Sequence, residues 1–90
     1  MEIDFTDIAL LDLDKIKFSG NLSLKKKLKK VLKELKEHPE TGIGRPEQLK
    51  HKYSGYWSRE VSEKNRIVYT IDKDNNVVKV YQILGHYFDK

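Results

Sequence analysis

Residues 47–84 read EQLKHKYSGYWSREVSEKNRIVYTIDKDNNVVKVYQIL, and this stretch decides the fold. Four β-leaning segments lie in it, at 47–50, 56–61, 66–71 and 77–84, with Val, Ile, Tyr and Trp prominent. Between them stand Ser54-Gly55, Glu63-Lys64-Asn65 and Asp72-Lys73-Asp74-Asn75-Asn76, all turn chemistry. Connections this short join antiparallel neighbours, so the segments predict a meander. Because successive strands reverse, the starts of the first and third share an edge with the ends of the second and fourth. Glu47, Arg59 and Arg66 therefore gather at one edge with His86 and Tyr87, which follow the fourth segment. Strand order alone leaves open whether they also share a face.

Upstream the pattern changes. Ile3 and Phe5 alternate with Glu2 and Asp4 as a short strand. Thr6 can cap a helix that carries Asp7 in its first turn, favourable at the positive end of the helix dipole. Ile8 and Leu11, flanked by Ala9, Leu10 and Leu13, predict a wide apolar face, and Ser19-Gly20-Asn21 ends the helix. In a second helix Leu24, Leu28, Val31, Leu32 and Leu35 recur about every 3.6 residues. Ser23 is its expected cap and His38-Pro39 its stop. The expectation is one α+β domain over residues 1–90, with two antiparallel N-terminal helices packed on a small, mostly antiparallel sheet.

A 90-residue chain can build one core, burying about 60–65% of its unfolded surface. The absence of Cys excludes a disulfide framework or a thiolate metal site and suits a reducing cytosol. Met1-Glu2-Ile3-Asp4 lacks the basic-then-apolar pattern of a secretion signal. No run approaches the roughly 20 apolar residues of a membrane span, so a cytoplasmic protein without membrane partners is expected. The net charge of +4 is uneven: residues 1–14 hold five acids and no base, whereas residues 25–36 hold seven Lys and one Glu. That imbalance favours a polyanionic or acidic partner, with a merely solvated lysine face as the plainer alternative.

Glu47, Arg66 and His86 supply a carboxylate, a guanidinium and an imidazole, the minimum set for moving a proton across a phosphodiester. An imidazole titrates near pH ~6.5 and serves as acid or base at neutral pH. A guanidinium fits phosphate bidentately and keeps its charge. Each has a structural alternative: Arg66 can pair with Glu60 or Glu63, and Glu47 with Arg45 or Lys50. Lys50, His51, Lys52, Arg59 and Lys64 are interleaved with Tyr53, Tyr56, Trp57 and Tyr81, a mixture that suits RNA phosphates and splayed bases. Trp57 also alternates with apolar positions and fits a core. Gly42-Ile43-Gly44 is too little for a nucleotide loop. His38, His51 and His86 lack ligand-like spacing, so no metal or other cofactor is expected.

Four runs in order carry a resemblance. They are Thr41-Gly42-Ile43-Gly44-Arg45-Pro46-Glu47-Gln48-Leu49-Lys50-His51, Tyr53-Ser54-Gly55-Tyr56-Trp57-Ser58-Arg59, Asn65-Arg66-Ile67-Val68-Tyr69 and Gly85-His86-Tyr87. Together they resemble the Txe/YoeB-type toxins of the RelE superfamily, over essentially the whole chain. The resemblance implies a RelE-like fold and a toxin of a type II toxin-antitoxin module that cuts mRNA on the ribosome as an endoribonuclease and blocks translation. It places the catalytic roles on Glu47, Arg66, His86 and Tyr87 and the RNA grip on Lys50 and Arg59; the neighbouring Arg45 and His51 complete the expected RNA-contacting set. It also implies a cognate antitoxin of the Phd/YefM type, and a homodimer is possible on the same ground. Glu60 stands where the family often has a second Arg, which motivates an alternative: a catalytically weakened nucleic-acid or ribosome-binding module. The first helix lacks the family's usual Trp, and Phe88-Asp89-Lys90 extends past the usual His-Tyr end.

Overall fold

The computed structural model describes residues 1–85; His86, Tyr87 and the Phe88-Asp89-Lys90 extension lie outside the described residues. In chain order the elements are β1 (Glu2–Phe5), α1 (Asp7–Lys17), α2 (Leu22–Glu37), β2 (Glu47–Gln48), β3 (Trp57–Glu60), β4 (Arg66–Asp72) and β5 (Val77–Gln82). A short 3-10 turn, His51–Tyr53, separates β2 from β3. The sheet order is β1-β5-β4-β3-β2. Strands β2 to β5 form the antiparallel meander, and β1 joins its far side parallel to β5, with Ile3 opposite Val78. The α+β architecture expected from the pattern is the one observed.

Alternation sorts the sheet into two faces. Ile67, Tyr69, Val78 and Val80 are fully buried on one of them, against Ala9 and Ile16 of α1 and Leu28, Val31 and Leu35 of α2. Both helices therefore lie on one side of the sheet. Burying each such side chain contributes about 1.5–3 kcal/mol, so this interface is the core.

Helix α1 starts as the sequence predicts: Thr6 Oγ1 accepts from the Ala9 N–H at 3.1 Å, and the Thr6 hydroxyl donates to the Tyr81 carbonyl at 2.9 Å. Its apolar face is a correction. Ile8 and Leu11 are 63% and 60% exposed, and the stripe that turns inward is Ala9, Asp12 and Ile16. The helix is rotated so that Asp12 meets backbone amides of the chain leaving β5, which hydrophobic periodicity cannot register. The cap of α2 is a second correction. The helix opens at Leu22, and the Leu24 N–H donates to Asn21 Oδ1 at 3.0 Å, so Asn21 rather than Ser23 is the cap. Asn21 holds the extended backbone a cap requires, whereas Ser23 is already inside the first turn.

Past α2 the loop crosses β3 closely. The Glu60 N–H donates to the Gly44 carbonyl at 2.6 Å. Gly44 adopts φ +83, and a Cβ there would lie 2.5 Å from the Glu60 carbonyl and 2.7 Å from Arg59 Cγ. Only glycine permits both the left-handed backbone and the approach.

Candidate active site on the open sheet face

The face question left open by strand order is answered by register. Glu47 pairs with Ser58, Ser58 with Val68, and Glu60 with Arg66. Paired residues, and residues two apart on one strand, point the same way, so Glu47, Ser58, Glu60 and Arg66 share the face opposite the helices. Strand spacing and rise put the Glu47 and Arg66 backbones roughly 12 Å apart, a gap that a carboxylate and a guanidinium on long stems can share around one phosphodiester. Glu47 is exposed and Arg66 half-buried. The Arg66 N–H donates to the Gly85 carbonyl at 3.0 Å, so β4 begins beside the point from which the chain continues into His86-Tyr87.

Glu47 also borders an open cleft of about 570 Å³ lined by Leu49, Lys50, His51, Lys52 and Tyr53. Arg45, Lys50 and His51 are exposed, as an RNA-contacting set requires. Arg45 and His51 hold left-handed backbones, with φ 50 and 58, which is uncommon for side chains other than Gly and Asn. Further along the same face, Tyr56 and Tyr81 meet edge to face at 5.1 Å, and Lys79 Nζ lies 5.5 Å from the Tyr81 ring. Lys79 pairs with Thr70, two residues from Val68, which fixes it to this face. Sequence reasoning did not single out Lys79 or Ser58. The alternation Val78-Lys79-Val80-Tyr81 was the available signal for Lys79. The Ser58 hydroxyl is fully buried and has no hydrogen-bond partner among the described residues, which no sequence pattern announces.

Arg59 is the clear departure from expectation. It was expected to grip RNA, but its side chain is fully buried and turned to the helix side of the sheet. Its Nη2 donates to the carbonyls of His38 and Thr41, both at 2.7 Å. Beside it, the Tyr69 hydroxyl donates to the Pro39 carbonyl at 2.6 Å. Arg59 and Tyr69 thus pin the turn that ends α2, and a buried guanidinium does not reach a polyanion. The physical reason is parity: Arg59 lies between Ser58 and Glu60 and opposite Ile67, which sends it to the core face. Burial raises the Tyr69 pKa above its ordinary 10.0, opposed by the charge and hydrogen bond of Arg59 and reinforced by Glu40. Trp57 falls on the core reading too, half-buried against the cluster and stacked on Tyr69 with centroids 6.3 Å apart.

Two helices behind a short meander, with a carboxylate and a guanidinium on the opposite face and exposed cations beside them, define a small α+β domain with a polar, partly cationic site. The chain belongs to the family of YoeB-like toxins of bacterial type II toxin-antitoxin systems, whose family model matches residues 5–87. A YoeB toxin of Synechocystis is 41% identical over 76 residues, covering 82% of this chain and 86% of that one. The YoeB toxin of Escherichia coli K12 is 40% identical over 53 residues, 59% of this chain and 63% of that toxin, so this match spans less than two thirds of the relative. Among solved structures, a YoeB/ParE toxin from Agrobacterium tumefaciens superposes with a TM-score of 0.88 at 28% identity, over 97% of this chain and all of that one. A YoeB-YefM complex from Staphylococcus aureus gives 0.81 at 33% identity, covering 97% of this chain and 98% of that one. A YoeB dimer from the same organism gives 0.82 at 32% identity, with the same coverage.

Proposed function

We propose that this toxin is an endoribonuclease that cuts mRNA held on the ribosome, in the cytoplasm, and so stops translation. The observation that carries the reading is that Glu47 and Arg66 stand on the sheet face opposite the helices, two strands apart, with exposed cations alongside. In the proposed reaction Glu47 takes the proton from a ribose 2′-hydroxyl as its oxygen attacks the adjacent phosphorus. The bond from phosphorus to the 5′-oxygen breaks, and His86 protonates that leaving oxygen. A 2′,3′-cyclic phosphate and a free 5′-hydroxyl result. Arg66 neutralises charge on the phosphorane, and Tyr87 orients the RNA or the imidazole. The attacking hydroxyl belongs to the substrate, so its effective concentration is high and no metal is needed to generate a nucleophile. Arg45, Lys50 and His51 hold the strand.

The partner that silences the activity is, in this reading, an antitoxin of the Phd/YefM type. Between α1 and α2 an apolar groove of about 430 Å³ runs over Leu13, Leu22 and Leu32, rimmed by Lys17, Lys25 and Lys29. Its chemistry fits a segment that is both apolar and acidic. Self-association into a homodimer is the corresponding proposal for the toxin free of its antitoxin.

Primer extension on translated mRNA tests the reading. Wild-type protein should produce cut ends on ribosome-bound message, and Glu47→Ala or His86→Ala should slow their appearance at least about tenfold with an unchanged melting temperature. Cut ends at wild-type rate from both variants would sink the assignment. Ribosome stalling with no cut ends would favour the second reading, a weakened binding module, which the Arg66–Glu60 ion pair at 3.7 Å motivates.

A further inference from the structure

The endoribonuclease reading leaves Asp12 unused, although it is a carboxylate 7% exposed on the inner face of α1. Its Oδ2 accepts two backbone hydrogen bonds, from Ile83 N–H at 2.9 Å and Leu84 N–H at 3.2 Å. The next amide, Gly85 N–H, donates to Asn65 Oδ1 at 2.7 Å. Strand β5 ends at Gln82, so these three consecutive amides lie beyond its ladder and are met by side chains from α1 and from the turn before β4. The Gly85 carbonyl is taken by the Arg66 N–H at 3.0 Å. Residues 83–85 are thus gripped from both sides, one peptide before His86.

We propose that Asp12 is a positioning residue for the reaction: it clamps residues 83–84 to α1 and so fixes, beside the start of β4, the segment that leads into His86-Tyr87. The inference rests on the catalytic reading above. Burying a carboxylate is costly unless its oxygens are hydrogen-bonded, and an apolar residue at this helix position would have joined Ala9 and Ile16 in the core. What the carboxylate adds is acceptor geometry at the end of β5. Small displacements of a reacting group are expensive: a misplacement of about 1 Å can cost on the order of a hundredfold in rate.

The test compares Asp12→Ala, Asp12→Glu and Asp12→Asn in the full chain. Single-turnover cleavage of ribosome-bound mRNA is read beside the ribosome concentration giving half-maximal rate. The His86 imidazole is titrated by NMR, and amide exchange is followed at Ile83 and Leu84. Asp12→Ala should lower the maximal rate at least about tenfold, with half-saturation within about twofold. It should also shift the His86 titration and speed exchange at both amides. Asp12→Glu, which keeps the charge but moves the oxygens by one methylene, should do the same. Asp12→Asn retains a carbonyl acceptor and should stay within about threefold of wild type. The comparison is decided by whichever of the Ala and Glu variants melts cooperatively. Wild-type rate and His86 titration in that variant would overturn the clamp, as would an Asn variant as impaired as it. If wild-type protein itself makes no cuts, the endoribonuclease reading fails, and the His86 titration and amide exchange still decide the clamp.

Discussion

Glu60 Oε2 lies 3.7 Å from Arg66 Nη2, across directly paired positions of β3 and β4. The two side chains are 34% and 27% exposed, so the pair adds at most about 1 kcal/mol to stability. In the proposed reaction its weight would be larger, because a guanidinium held by a carboxylate is partly withdrawn from a phosphate. Glu60→Gln, which keeps the shape and removes the charge, should raise the single-turnover cleavage rate severalfold and tighten RNA binding. Arg66→Ala should lower the rate by on the order of a hundredfold, the usual cost of losing a group that stabilises transition-state charge. A Glu60→Gln variant slower than wild type would show that the carboxylate aids rather than restrains Arg66.

Arg59 predicts a stability phenotype in place of a binding one. Its Nη2 bonds to His38 and Thr41 tie the end of α2 to β3, and Arg59→Ala would leave two carbonyls unpaired beside a cavity. We expect a loss of about 2–4 kcal/mol in urea unfolding. RNA affinity per folded molecule should stay within about twofold, since the guanidinium is buried. A large affinity loss with unchanged unfolding would return Arg59 to the RNA-contacting set.

Two groups add to the pH dependence of stability at the extremes. Asp72 has its pKa held below the ordinary 3.8 chiefly by the side chain and then the backbone N–H of Asn75. A carboxyl with a depressed folded value contributes stability above its unfolded pKa and loses it as pH falls through the folded one. Tyr69 is the reverse: burial raises it above 10.0, so its contribution is full below that value and is lost as pH rises beyond it. Melting temperature measured from pH 2 to 12 should therefore fall on both sides. Asp72→Asn should flatten the acid limb and Tyr69→Phe the alkaline one. Unchanged limbs would remove these residues as the cause.

The proposed docking of an antitoxin in the groove between α1 and α2 predicts which substitutions would release it. Leu22 is 68% exposed at its edge, and Lys25 and Lys29 stand on its rim. Leu22→Asp should weaken antitoxin binding at least about tenfold, and Lys25→Glu with Lys29→Glu should weaken it more at low salt than at high salt. Calorimetry with the purified antitoxin reads both effects. Affinity unchanged in both variants would move the docking surface elsewhere on the molecule.

By itself the sequence determined the class of this protein. Alternating β-branched and aromatic residues between turn clusters specify a meander, and the spacing from Leu24 to Leu35 specifies the helix that covers it, because these periods are local properties of the backbone. The edge that gathers Glu47, Arg66 and the end of β5 was legible for the same reason, since short turns force strands to reverse. Tertiary structure alone decided the rest. Whether Glu47 and Arg66 share a face depends on register, and one residue of slip would have reversed it. Register also sent Arg59 inward to the turn after α2, where sequence had read a surface cation. The exposed Ile8 and Leu11, and the buried Asp12 that took their place, follow from how α1 is rotated on the sheet. In that rotation Asp12 meets amides 71 and 72 residues further along the chain, a distance over which no periodicity carries information.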